Sequence, residues 1–217
     1  MKIFTYQPPS IPWLDIRYQD RDIIVINKPS GLLSNPGRAE NTFDSAINRL
    51  LQRYPEAILV HRLDCATSGI MVFALNKKAE SNIKTQFQNR VTGKYYVALV
   101  QGVITDDSGK IDLAMKADIS QPPLQLIADD GKSATTYFEV LERRVDTTLV
   151  KLKPITGRTH QLRLHMKAIG HTILGDDFYG DDNIMTASDR LCLHAEHLQI
   201  NHPFSHKVVK FYSKHPF

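Results

Sequence analysis

Apolar residues along the chain gather in short runs more often than they fall at helical spacing. Residues 23–27 read IIVIN and residues 70–75 read IMVFAL, both of strand length. Turn residues bound both runs: Lys28-Pro29-Ser30-Gly31 follows the first, and Thr67-Ser68-Gly69 precedes the second. The segment DIRYQDRDIIVINKPSG predicts two short strands around a turn at residues 19–21, and Asn35-Pro36-Gly37 makes a further turn. More strands are predicted in KYYVALVQG, GKIDLAMKA, SATTYFEVLER and TTLVKLKP, and again in LCLHAEHLQINHP and HKVVKFYS.

Helical spacing occurs in three places. Thr42 is placed to cap a helix reaching Tyr54, with Ala46, Ile47, Leu50 and Leu51 on its apolar face. Asn76 caps a second helix over 77–90, in which Ala79, Ile83 and Phe87 stand four apart on one narrow stripe. A third covers 159–169, with Leu162, Met166 and Ile169 inward and Gly170 as its stop. Strands dominate, helices interrupt them, and strict strand–helix alternation is missing. The pattern predicts an α+β fold with a mostly antiparallel mixed sheet flanked by helices.

Composition narrows this only a little. At 217 residues, 42% hydrophobic and 23% charged, the chain suits one globular domain spanning 1–217. No apolar run approaches the roughly 20 residues of a membrane helix, and MKIFTYQPPS lacks the apolar core of an export signal. The two cysteines, Cys65 and Cys192, share no metal-type spacing, which suits a reducing, cytoplasmic location. With no heptad pattern and no apolar patch in the sequence, a monomer is expected. A net charge of +4 is compatible with a polyanionic partner, and Arg158, His160, Arg163, His165 and Lys167 gather within ten residues.

Three clusters carry candidate chemistry. In VHRLDCATSG, Asp64 stands at the mouth of an apolar strand, with Arg62 two residues before it. An aspartate is ionised at neutral pH, so Asp64 is either a turn residue bonding nearby amides or a carboxylate presented for reaction. Arg62 either pairs with it or reaches a phosphate. In ITGRTHQLRLH, the turn at Thr156-Gly157 sets Arg158 beside the free amides of a helix start, an arrangement that suits an anion, or else the cluster is simply a solvated helix face. His160 and Arg163, three apart, would share a helical face. In GKYYVALVQG, Tyr95 and Tyr96 point to opposite sides of a strand, so only one faces a given cleft. No phosphate loop, nucleophile elbow or metal-ligand set stands out.

These segments together resemble the RluA family of pseudouridine synthases. HRLDCATSG is similar to the family segment that holds the catalytic aspartate, here Asp64. KYYVALV is similar to its second motif, whose tyrosine falls at Tyr96 when Lys94, Val97 and Ala98 are aligned. ITGRTHQLRLHM is similar to its third, with the paired arginine at Arg163. Four weaker markers, NKPSGLLSNPG, GKSATTYFEV, GHTILGDDFYG and RLCLHAEHL, keep the family's order from residue 27 to residue 197.

The resemblance implies the pseudouridine synthase catalytic fold with a central RNA-binding cleft. It also implies no separate amino-terminal RNA-binding domain, as in the compact members of the family. The implied reaction isomerises uridine in structured RNA, a tRNA anticodon stem-loop, a loop of large-subunit (23S) rRNA, or both, with no cofactor and no metal. Asp64 would act on the flipped nucleotide, Arg163 would pair with it in a dry pocket, and Tyr96 would stack on the uracil. Arg62 would occupy the vacated space in the RNA. His61, Lys28, Lys94, Arg158 and His160 are implied as further RNA contacts, and Leu193 as an apolar floor under the base. Two rival readings are a non-catalytic RNA-binding or ribosome-assembly factor, which the joint presence of Asp64, Tyr96 and Arg163 speaks against, and an acid/base hydrolase, which predicts turnover of small substrates.

Overall fold

The computed structural model describes residues 6–217; the first five residues of MKIFTYQPPS, on which the expectation of no export signal partly rests, lie outside them. In chain order the elements open with β1 (Ile16–Gln19), β2 (Ile23–Lys28), a 3-10 turn at Glu40–Thr42, α1 (Ala46–Leu51), β3 (Ile58–Leu59), β4 (Ser68–Ala74) and α2 (Lys77–Gln88). The middle holds β5 (Gly93–Gln101), β6 (Ser108–Asp112), β7 (Met115–Ala117), β8 (Gln125–Ile127), β9 (Thr135–Arg143) and β10 (Thr147–Pro154). The chain ends with α3 (Gln161–Ala168), α4 (Asp182–Thr186), β11 (Leu193–Asn201) and β12 (Val208–Tyr212). The residues divide into two compact units: 6–93 with Ala195–Lys214, and Lys94–His194 with His215–Phe217.

In the first unit the strands run in the order β1, β2, β4, β11, with β12 on β11 and β3 sharing an edge of β4. The β1–β2, β2–β4, β3–β4 and β11–β12 pairs are antiparallel. The apolar runs of β2 and β4 are continuous because both faces of these strands are covered. Val25, Ile70, Val72 and Ala74 pack against Ala79 and Ile83 of α2, while Ile24, Ile26, Met71 and Phe73, pointing the other way, are also fully buried. Asn76 caps α2 as its sequence predicts, its Oδ1 accepting from the Ala79 amide at 2.9 Å.

In the second unit the order is β5, β10, β9, β6, all antiparallel, and β7 pairs with β8 in a separate two-stranded ribbon. GKIDLAMKA, predicted as one strand, is therefore two: β6 pairs with β9 and β7 with β8, and the chain changes sheets at Leu113-Ala114. β8 and α4 were not predicted; three and five residues are too few for a period to show.

Two helix starts also differ from expectation. α1 begins at Ala46 with Ser45 as its cap, whereas Thr42 lies in the 3-10 turn and bonds to the Ala39 carbonyl. The Leu33 and Ser34 carbonyls accept from the Ala46 and Ile47 amides and so fix where the helix starts. Leu51, placed on the apolar face by the pattern, turns outward. α3 begins at Gln161, because His160 takes the left-handed conformation at φ 56°. His160 is thus outside the helix, and it does not share a helical face with Arg163.

Candidate active site

Asp64 lies in the loop between β3 and β4, and the backbone of that loop is clamped from the NKPSGLLS segment. Ser34 Oγ donates to the Leu63 carbonyl at 2.6 Å and accepts from the Leu63 amide at 3.0 Å. Ser30 Oγ donates to the Ala66 carbonyl at 2.6 Å, and the Gly31 amide to the Cys65 carbonyl at 2.9 Å. Lys28 is 0% exposed, and its ammonium donates to the carbonyls of Pro29, Leu32 and Cys65 at 2.9, 2.6 and 3.0 Å. Every residue from 63 to 66 is held through its backbone or by the bonds of its neighbour. The turn closes through the Asp64 carbonyl, which accepts from the Thr67 amide at 3.1 Å. The half-buried Asp64 closes that turn through its backbone carbonyl, not its carboxylate.

Beyond the loop, β4 enters the core through Gly69, whose φ of +120° suits glycine. A Cβ there would sit 2.3 Å from the Ala195 carbonyl oxygen, so the close approach of the two backbones also demands glycine. His61, before Asp64, is half-buried: its Nε2 accepts from the Val72 amide at 3.0 Å, and its ring stacks on Phe87 at 4.6 Å. It thereby extends the edge of β4 past the end of β3. Arg62, between them in sequence, is exposed.

The second unit carries Tyr96 and Arg163. Tyr96 is opposite Leu152 and shares a face with Ala98, Val100, Val150 and Pro154. Tyr95 takes the other face, where the Lys151 ammonium lies 5.2 Å from its ring centre. The alternation read from the sequence is therefore realised. α3 covers the face of Tyr96. Gln161 and His165 both bond Thr136 Oγ1 at 3.0 Å, and Thr136 is opposite Pro154 on that face. Gln161 Oε1 also accepts from Thr156 Oγ1 at 2.7 Å and from the Arg158 amide at 3.0 Å. The amide just before the helix start is thus already engaged.

Arg163 is 1% exposed and gripped by four consecutive residues, Asp176 to Tyr179. Its Nε donates to Asp176 Oδ2 at 2.9 Å, and its Nη2 donates to Asp176 Oδ1 and, at 2.8 Å, to Asp177 Oδ1. Its guanidinium carbon lies 4.7 Å from the Phe178 ring centre and 5.5 Å from that of Tyr179. Asp176 is 0% exposed and fixed in turn, since its Oδ1 accepts from the Phe178 and Tyr179 amides, both at 3.0 Å. Gly175 permits this tight segment at φ +72°; a Cβ would lie 2.0 Å from the Arg190 carbonyl oxygen. Sequence reasoning noted GDDFYG only as a marker. The signal it missed was a paired acid beside two aromatics, held between glycines.

The remaining expected contacts fall differently. His160 is buried, its Nδ1 2.9 Å from the Tyr179 hydroxyl, which accepts from the Gln125 amide at 3.0 Å. Lys28 and His160 are therefore placed as internal supports, not at the surface where the expected RNA contact would need them. Arg158 is exposed, with Nε 3.2 Å from the Ser133 carbonyl; Lys94 is half-buried at the start of β5, and Leu193 is buried in β11. Asp20, Asp22 and His202 are close enough together to hold a cation, but their atoms close a turn. Asp20 accepts from the Asp22 and Ile23 amides, from Tyr18 and from His202, and Asp22 accepts from Asn76.

Comparison with known proteins gives a consistent result. A sequence profile described as RNA pseudouridylate synthase matches residues 22–168. The chain is 51% identical over 205 residues to a protein of Escherichia coli (strain K12) named dual-specificity RNA pseudouridine synthase RluA, covering 94% of each. It is 48% identical over 219 residues to the Haemophilus influenzae protein of the same name, covering 100% of both. Among solved structures, human RNA pseudouridylate synthase domain containing 1 superposes with a TM-score of 0.81 at 31% identity, over 97% of this chain and 87% of that one. Human RNA pseudouridylate synthase domain containing 4 gives 0.76 at 26% identity, over 93% and 88%. The chain belongs to the RNA pseudouridylate synthase family, the isomerases that convert uridine in RNA to pseudouridine.

Proposed function

We propose that Asp64, Tyr96 and Arg163 act together on one uridine, and that the two units serve a single catalytic domain. The observation that carries this is the Asp64 loop. Its backbone is clamped on both sides of the aspartate while the carboxylate is left out of the turn it sits in, so the fold uses the residue for something other than the turn. A reacting group held this way meets its target without an ordering cost at each turnover.

The reaction breaks the bond from uracil N1 to ribose C1′, turns the base, and forms a C5–C1′ bond; the C5 proton is lost and N1 gains one, so the product is an isomer. The target base must leave its stack, at a cost of a few kcal/mol. Asp64 presents its carboxylate to the sugar and base. Arg163 stands beside that carboxylate in the RNA complex and holds it ionised. Tyr96 stacks on the uracil, Leu193 lies beneath it, and Arg62 fills the space left in the RNA. Arg158 and Lys94 contact phosphate or sugar, while Lys28, His61 and His160 brace the site from inside. The substrates are a tRNA anticodon stem-loop, a loop of 23S rRNA, or both; relatives named dual-specificity RNA pseudouridine synthases support a broad RNA range.

Tritium release from RNA labelled at uracil C5 tests this. Wild-type protein releases label from a tRNA pool, from large-subunit rRNA fragments, or from both, and Asp64→Asn releases none while binding the same RNA. Equal release by Asp64→Asn would remove Asp64 from the mechanism.

A further inference from the structure

Arginine has five N–H hydrogens, and three of them are on Nε and Nη2, the nitrogens that meet Asp176 and Asp177. The one on Nε and one on Nη2 form the edge that meets Asp176, and Nη2 also donates to Asp177. A bidentate carboxylate fixes rotation within the guanidinium plane, and a ring stacked at 4.7 Å fixes the plane itself. The orientation of Arg163 is therefore set by the 176–179 segment and not by α3, which supplies only the attachment point. Asp177 differs from Asp176 in burial: its side chain is 51% exposed, against 0%. An exposed carboxylate added to an already paired arginine contributes little to folding. What it does add is a second constraint on Nη2.

We propose that Asp176 and Asp177 are positioning residues for the isomerisation, acting through Arg163 by holding its Nε and Nη2 and so fixing the direction of the whole guanidinium relative to the reacting uridine. The proposal rests on the reading that Arg163 acts at that site. Asp176 sets the rotation within the plane, and is held by the Phe178 and Tyr179 amides. Asp177 removes the residual swing about the Asp176 pair. A displacement of about 1 Å in a positioning group can cost about 100-fold in rate, so loss of the weaker constraint is expected to cost about 10-fold.

The test is a double-mutant cycle on tritium release, with Asp177→Ala, Arg163→Lys and the pair, measured at saturating and subsaturating RNA. Asp177→Ala is chosen because its exposure leaves folding intact, which a melting curve checks. Its kcat is expected to fall about 10-fold with KM unchanged, whereas a purely structural carboxylate would leave kcat alone. Lysine has no edge for two carboxylates to lock, so in the Arg163→Lys background Asp177→Ala is expected to have no further effect. If Arg163→Lys is slow but Asp177→Ala matches wild type, or if the two effects multiply, the positioning role is overturned while the role of Arg163 stands. If Arg163→Lys itself matches wild type, the reading of Arg163 fails and the proposal falls with it.

Discussion

At the scale of residues, the site is built as much from groups that hold as from groups that react. Ser34 is an example: one hydroxyl serves both backbone groups of Leu63, next to the aspartate on which the chemistry is proposed to depend. Ser34→Ala would leave a buried amide and carbonyl without this partner, and is expected to destabilise the fold by about 1–3 kcal/mol. It should also lower kcat more than it raises KM, because the Asp64 loop loosens while RNA contacts stay. Urea unfolding and steady-state tritium release measure the two effects separately. Lys28 carries the same lesson. The family resemblance implies an RNA contact for it, and in the structure this lysine, at the end of a strand buried on both faces, has its ammonium among carbonyls. Sequence does not distinguish these outcomes, since both use the same charge.

At the scale of elements, α3 illustrates what docks a short helix. Gln161 and His165 reach the same hydroxyl, Thr136 Oγ1, and His165 Nε2 donates to the Leu113 carbonyl at 3.2 Å. Burial holds the His165 imidazole below its ordinary pKa, with the Leu113 carbonyl and Asp112 opposing that shift. A histidine depressed in the folded state is protonated first in the unfolded chain as pH falls below about 6.5. Its stabilising contribution is complete above that value and is lost on acidification toward the lower folded value. Urea midpoints should therefore decline between neutral and acidic pH, and His165→Gln should decline less over the same range. An equal decline would show that other groups set the acid limb. The helix was legible in the sequence from Leu162 and Met166, but its first residue was not, because the left-handed turn at His160 depends on a bond to Tyr179 nineteen residues on.

At the scale of the whole molecule, no helix among the described residues is long and apolar enough to cross a membrane. The net charge of +4 is modest for a protein that handles RNA. Binding that relies on a few phosphate contacts should weaken by about 10-fold between 50 and 200 mM salt, through counterion release. The single-turnover rate at saturating enzyme should stay within about twofold, because the groups proposed to react are held by internal bonds. A rate that fell in step with affinity would place salt-sensitive contacts in the chemical step.

The α+β class, the main strands, the cap at Asn76 and the alternation of Tyr95 and Tyr96 were determined by the sequence itself, because each depends on neighbours a few positions away. The family was also legible, through the motifs around Asp64, Tyr96 and Arg163. Tertiary structure alone decided which polar groups face inward and what they hold. Asp176 lies thirteen residues from Arg163, Ser34 twenty-nine from Leu63, and Lys28 thirty-seven from Cys65. No local period spans such separations. A buried charge takes whichever partner the fold brings within bonding distance, and only the folded chain specifies which one that is.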